Sequence, residues 1–170
     1  GPDIKLPPME MLPLGAKVSV MRSDGRFAIT PSGYIPANHL LASDSFENEF
    51  AAVAERFVGT PYLWGGKTNY GLDCSGLVQV SLQATGIFPL RDSDMQEQTL
   101  GLAHEPDSDF SSMERGDLVF WKGHVGIMCS PTMLLHASAR DMHVEIEPLG
   151  QAVDRIRPIA GEVRSVRRFG

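Results

Sequence analysis

Thr60-Pro-Tyr-Leu-Trp-Gly-Gly-Lys-Thr-Asn-Tyr-Gly-Leu-Asp-Cys-Ser-Gly-Leu-Val-Gln79 is a glycine-rich run that turns, at Asp73-Cys74, into the opening of an amphipathic helix. Asp73 is a good N-cap residue. Leu77, Val78, Ser81, Leu82 and Thr85 then recur at helical spacing until Gly86 supplies a stop. The pattern predicts Cys74 in the first helical turn. Unpaired N–H groups and the positive end of the helix dipole favour an anion there, so the thiol pKa is expected to be lowered. Gly76 and the glycines before it leave room for a substrate backbone to approach. Alone, Cys74 reads equally well as a small buried hydrophobe, the common fate of a free cysteine, so its partners decide.

Those partners are sought among five histidines. His124 opens one apolar run, residues 124–128, and His136 lies near the end of the next, residues 133–136. If an odd-length loop centred on Ser130 joins the two strands, positions 124 and 136 face each other directly. Their Cβ atoms then stand about 5 Å apart on one face. A two-residue loop would send them to opposite faces. In the first geometry His124 can take the proton of Cys74 while His136 sets its orientation and tautomer, the logic of nucleophile, base and orienter. A Cys-His-His zinc site is the competing reading, but the long gap from Cys74 to His124 and the lack of a paired cysteine do not match metal-binding spacing. Neither a metal nor another cofactor is expected.

The remaining candidates have ordinary readings. His39, His104 and His143 fall in loops or at the surface, and Cys129 follows an apolar strand as inert core. Glu145 and Glu147 alternate with apolar residues like a solvated strand face, and neither they nor Asp92 and Asp94 make a convincing glycosidase pair. Arg91 is expected to pair with Asp92 or Asp94, and Tyr34 to be buried.

Along the chain, residues 3–14 form an extended lead-in rich in Pro, Leu and Met. Alternation over 17–22, a turn at 23–26, a second strand at 27–30 and a turn into Tyr34-Ile35 describe a small antiparallel meander. Asp44 and Glu47 suggest a capping box for a helix marked by Phe46, Phe50, Val53 and Phe57. A short helix capped by Asp92 or Ser93 follows the Cys74 helix, and 103–112 read as polar loop. Strands are expected over 117–121, 124–128, 133–136 and 144–147, then a short helix through Ala152, Val153 and Ile156 and a last strand over 163–169. Helices followed by strands imply an α+β fold, with helices packed on one side of an antiparallel sheet. The expected division is 1–42 for the β segment and 43–170 for the domain bearing Cys74.

The chain's 170 residues can bury a real core. Apolar residues make up 42% and charged residues 21%, which suits a globular domain, and no apolar run approaches membrane-spanning length. A net charge of -6 disfavours a nucleic-acid partner. Two cysteines suit a reactive thiol plus a spare at least as well as a disulfide. Gly1-Pro2 looks like a protease-tag scar, so the compartment cannot be read from this sequence.

Several of these segments, in order, resemble the NlpC/P60 cysteine peptidases, which have a papain-like core. They are Pro61-Tyr-Leu-Trp-Gly-Gly66, Asp73-Cys-Ser-Gly-Leu-Val-Gln79, Arg115-Gly-Asp-Leu-Val-Phe120, His124-Val-Gly126 and Leu135-His-Ala137. The resemblance covers roughly 44–170. It implies Cys74 as nucleophile, His124 as base, His136 as third member, and Tyr62 as an oxyanion aid beside the helix start. It further implies a murein peptide substrate cut between γ-D-glutamate and a diamino acid, with Asp73, Ser75 and Ser93 reading a free N-terminal L-alanine. Alternatives are an amidase or acyltransferase of the same fold, or a non-catalytic wall-binding module. The closing Gly-Tyr-Ile-Pro-Ala-Asn-His-Leu of the meander resembles the end of a bacterial SH3-type module, though shorter than a complete one.

Overall fold

The computed structural model describes residues 3–170, which separate into two compact units between Phe46 and Glu47. In the first unit, β1 (Arg22–Ser23), β2 (Phe27–Thr30) and β3 (Gly33–Pro36) form a three-stranded antiparallel sheet in that order. The turn before β2 closes through Asp24, whose Oδ1 accepts the Phe27 amide at 3.2 Å, with Gly25 at φ 89°. The strand expected over 17–22 contributes only Arg22 to the ladder, joined by Ser23, because its side chains find nothing to pack on: Val20 is 49% and Met21 70% exposed. Tyr34, expected to be buried, is 43% exposed and meets Phe27 edge to face at 6.5 Å between ring centres.

The second unit carries both hydrophobic cores. Its sheet runs β10-β9-β8-β7-β11-β6, antiparallel throughout. The strands are β6 (Leu102–His104), β7 (Leu118–Trp121), β8 (His124–Met128), β9 (Met133–Ser138), β10 (His143–Pro148) and β11 (Ser165–Arg168). α1 (Phe50–Glu55) and α2 (Cys74–Ala84) pack with Leu118, Phe120, Val125, Ile127, Leu135 and Ala137 into one core. α4 (Leu149–Ala160) packs Leu149, Ala152, Val153 and Ile156 on Val119, Trp121, Met128, Leu134 and Val166 in the other. The sheet is therefore covered on both faces, not one. That is why its central strands read as unbroken apolar runs rather than alternating ones.

Three local expectations change. Helix α1 begins at Phe50 without a side-chain cap, because Phe50 is its first residue buried in the core. Glu47 instead pairs with Arg56 at 2.7 Å, and its amide bonds the Ala84 carbonyl. The stretch from 103 contains β6, an edge strand whose Leu102 is 74% exposed and which leaves no apolar signal; it pairs with β11 through Val166↔His104. The polypeptide ahead of Cys74 folds back as a two-residue-per-strand hairpin, β4 (Lys67–Thr68) and β5 (Gly71–Leu72). β11 is fastened in mid-sheet by Arg168, which donates at 2.7 Å to both carboxylate oxygens of the fully buried Asp117.

Candidate active site

The tip of α2 is built by Asp73. Its Oδ1 accepts the Gly76 amide at 2.7 Å, as an N-cap should, and its Oδ2 accepts the Gly65 amide at 2.8 Å, tying the glycine loop to the helix start. Gly76 lets the loop come this close. A Cβ there would stand 2.2 Å from the Gly66 carbonyl oxygen and 2.9 Å from Asp73 Oδ1.

Cys74 occupies the first turn, 7% exposed, in the same core cluster as Val125 at the start of β8. The helix tip thus packs on the strand that His124 opens. The expected lowering of its pKa does not hold. Burial pushes the thiol up, Asp73's charge adds to the rise, and the amides of Val125, Ser75 and Cys74 itself offset only part of it.

His124 heads β8 and its ring stacks tilted over Trp121, 5.7 Å between centres. Its Nε2 is 2.8 Å from Nδ1 of His136, with the two rings edge to face. The histidines do share a face, but they are not directly opposite. The pairs Ile127↔Leu135 and Met128↔Leu134 centre the turn on Pro131 rather than Ser130, which offsets the two histidines by two residues along the strands. Parity kept them together, and the reach of two rings closes the diagonal. Burial lowers the pKa of His124 to about 3, helped by His136 and Arg155, and that of His136 to about 4, helped by Arg155. Both rings are neutral at pH 7.

His136 is 1% exposed, and its second nitrogen, Nε2, is 2.8 Å from Glu147 Oε1 and 3.8 Å from Glu145 Oε1. Glu147 Oε1 also accepts from Arg155 of α4. So Glu145 and Glu147 are not a solvated strand face. The alternation predicted their side correctly, but the neighbouring sheet surface is covered by the histidine ring and by α4.

Around the helix tip, Arg91 donates through Nη2 to Asp73 Oδ2 at 2.6 Å and through Nη1 to Ser75 Oγ at 2.8 Å. It pairs with neither Asp92 nor Asp94, the partners expected. Burial works to raise the Asp73 pKa, but Arg91 and the Gly76 and Gly65 amides outweigh it and hold the carboxyl below its usual range. Ser75 is buried, and Gln96 Nε2 of α3 (Ser93–Thr99) ties its carbonyl to that of Leu90 at 3.0 and 2.9 Å. Ser93 opens α3, one turn ahead of Gln96, and is half-buried. Tyr62 packs against the core cluster that holds Cys74. Burial raises its phenol pKa, with smaller contributions from the nearby charge of Cys74 and Asp73.

Of the residues singled out in the sequence, Asp73 and Ser75 meet through Arg91 at the tip of α2, where Cys74 also lies, and His124 and His136 meet each other on β8 and β9. Sequence reasoning missed Glu147, Arg155 and Gln96. A two-residue step from Glu145 to Glu147 beside a histidine strand was the one available signal, and nothing announced Arg155. Cys129 is half-buried and donates to the Met133 carbonyl at 3.4 Å, and both cysteines are free thiols. Among the described residues, the cluster with metal-ligand spacing is His136, Glu145 and Glu147, which does not include Cys74, and Arg155 already engages Glu147 there.

The structure thus sets a thiol in the first turn of α2 and, on strands that α2 packs against, two imidazoles joined at 2.8 Å. Comparison with known proteins gives the family. The chain is 31% identical over 115 residues to dipeptidyl-peptidase 6 of Lysinibacillus sphaericus, covering 68% of this chain and 41% of the relative. It is also 31% identical over 147 residues to the gamma-D-glutamyl-L-lysine dipeptidyl-peptidase of Bacillus cereus, covering 82% and 40%. It thus spans about two fifths of the length of each. The crystal structure of a NlpC/P60 family protein from Bacillus cereus superposes with a TM-score of 0.70 at 23% identity, covering 89% of this chain and 53% of that one, a likeness of fold. The peptidoglycan hydrolase RipB of Mycobacterium tuberculosis gives 0.56 at 27% identity, covering 71% and 62%. The sequence model of the NlpC/P60 family matches residues 59–156, the stretch from the turn after α1 into α4 that holds every group described above, and the chain belongs to that family.

Proposed function

We propose that the chain is a cysteine peptidase acting on bacterial cell-wall peptides, cutting between γ-D-glutamate and a diamino acid. The observation that carries this is the pairing of His124 with His136 at 2.8 Å on strands that α2, with Cys74 in its first turn, packs against. The names of the two dipeptidyl-peptidase relatives and of the peptidoglycan hydrolase support it.

In this reading Cys74 is the nucleophile. Because burial favours the neutral thiol and the neutral imidazole, the resting pair is uncharged, and the proton passes to His124 as sulfur attacks the γ-glutamyl carbonyl. The nitrogen that receives it is Nδ1, since Nε2 is taken by His136. Amides at the start of α2 and the Tyr62 hydroxyl stabilise the tetrahedral oxyanion. His124 then protonates the leaving amine, and water admitted to the thioester releases the acyl product.

Asp73, Ser75 and Ser93 frame the end of the site, where a terminal ammonium would compete with Arg91 for Asp73 Oδ2. Incubation with L-Ala-γ-D-Glu-diaminopimelate, followed by mass spectrometry, is expected to show the free diamino acid. An N-acetylated peptide is expected to react more slowly. Cys74→Ala should abolish release, and unchanged turnover in that variant would refute the assignment.

A further inference from the structure

Glu147 and Arg155 lie outside the three side chains assigned to the chemistry, yet they finish the line that those side chains begin. Nε2 of the almost completely buried His136 has one close partner, Glu147 Oε1 at 2.8 Å, and the same oxygen is held by the Arg155 guanidinium. We infer that Glu147, braced by Arg155, is a positioning residue that sets the tautomers of both histidines and so decides which nitrogen of His124 faces the thiol as a base.

The derivation needs only donor and acceptor rules. A carboxylate paired with a guanidinium accepts and does not donate, so His136 carries its proton on Nε2. A neutral ring protonated there has a bare Nδ1, which can only accept. His124 Nε2, 2.8 Å away, must then be the protonated nitrogen of its own ring. His124 Nδ1 is left bare, which is what proton abstraction from Cys74 requires. Reversing the last bond would turn both rings over and present an N–H to the thiol in place of a lone pair. The low pKa values of both rings, about 3 and about 4, keep each in the neutral form in which tautomer choice matters.

Two other features support a fixed rather than adaptable anchor. Glu147 stands on β10 diagonal to His136, yet its oxygen lies 2.8 Å from Nε2, whereas that of Glu145, directly opposite, lies 3.8 Å away. Arg155 comes from α4, on a different element, and therefore ties the relay to the helix covering the second core.

The meaning of this lock for catalysis rests on the peptidase reading above, but the lock itself can be measured without turnover. Histidine ring 15N spectra of the labelled protein at pH 7, assigned by signal loss in His136→Gln and His124→Gln, should show both rings in the Nε2–H form. Glu147→Leu removes the acceptor and keeps most of the volume. It should mix or invert the His136 tautomer and lower kcat on the murein peptide roughly ten- to a hundredfold, with KM little changed. Glu147→Gln keeps an acceptor oxygen for both neighbours. It should hold the tautomers and stay within a few-fold of the parent. An Nδ1–H signal for His136 in the unaltered protein overturns the inference without any variant. So does a Glu147→Leu protein with unchanged tautomers, or a Glu147→Gln protein as impaired as Glu147→Leu. Loss of peptide cleavage in the unaltered protein with the tautomers as described would instead count against the proposed function alone.

Discussion

At the scale of single residues, the paired histidines His124 and His136 are held neutral at a cost to stability in acid. In the folded chain their pKa values are about 3 for His124 and about 4 for His136, against an ordinary value of 6.5. Below pH 6.5 the unfolded chain takes up protons that the native state refuses, so stability falls as pH drops, and it stops falling only below the native values. Each ring contributes up to about 1.4 kcal/mol per pH unit in that window. His124 keeps part of its surface open to solvent, so its share should be the smaller of the two relative to that ceiling. Glu145, whose pKa is raised mainly by burial, acts in the opposite sense. Urea unfolding at pH 7, 6 and 5 should therefore show a progressive loss, and His136→Gln should flatten the dependence. A stability that is constant or rises across that range, or a slope indifferent to the substitution, would contradict the neutral burial of these rings.

At the scale of elements, the close approach of the glycine loop to the tip of α2 sets the site, and Gly76 is where it is most exacting. Gly76→Ala would place a methyl 2.2 Å from a backbone oxygen that is itself held by the Asp73 amide at 3.2 Å. Backbone must move, and the Asp73 cap with it. The expected cost is roughly 2–3 kcal/mol, the upper part of the range for overpacking, together with a loss of kcat larger than the change in KM, because Cys74 is displaced. Chemical denaturation and steady-state kinetics check both, and a protein of unchanged midpoint and activity would show that the loop yields freely. This element was legible beforehand: an N-cap, a helical period and a glycine stop are local signals, and α2 runs over Cys74–Ala84 as they predict. Strand parity was legible for the same reason, since face depends only on whether a loop is odd or even. Register was not, because a turn centred on Pro131 or on Ser130 has the same odd length. Nor was the Glu147 to Arg155 contact, since it joins a strand to a helix and neither residue stands out against a background of ordinary charged positions.

At the scale of the molecule, the two units differ sharply in what they bury. Every residue of the two core clusters lies at position 50 or beyond, with α1, α2 and α4 sandwiching the six-stranded sheet. In the first unit Ala28 is the one residue of the buried core among those described, and Ile4, Leu6, Met9, Met11 and Met21 are all more than half exposed. Three short strands that enclose so little apolar surface do not offset the conformational entropy of ordering them. Among the described residues no helix is long and apolar enough to cross a membrane. The second unit, by contrast, contains the Asp73 cap of α2, the Asp117 to Arg168 fastening of β11 and every group proposed for catalysis. Residues 47–170 produced alone should therefore fold, with a single cooperative thermal transition and histidine tautomers like those of the full chain. Residues 3–46 alone should show no cooperative transition. Calorimetry on the two fragments decides this: a second unit that melts without cooperativity, or a first unit with a sharp transition of its own, would mean that foldability does not follow the ownership of the core.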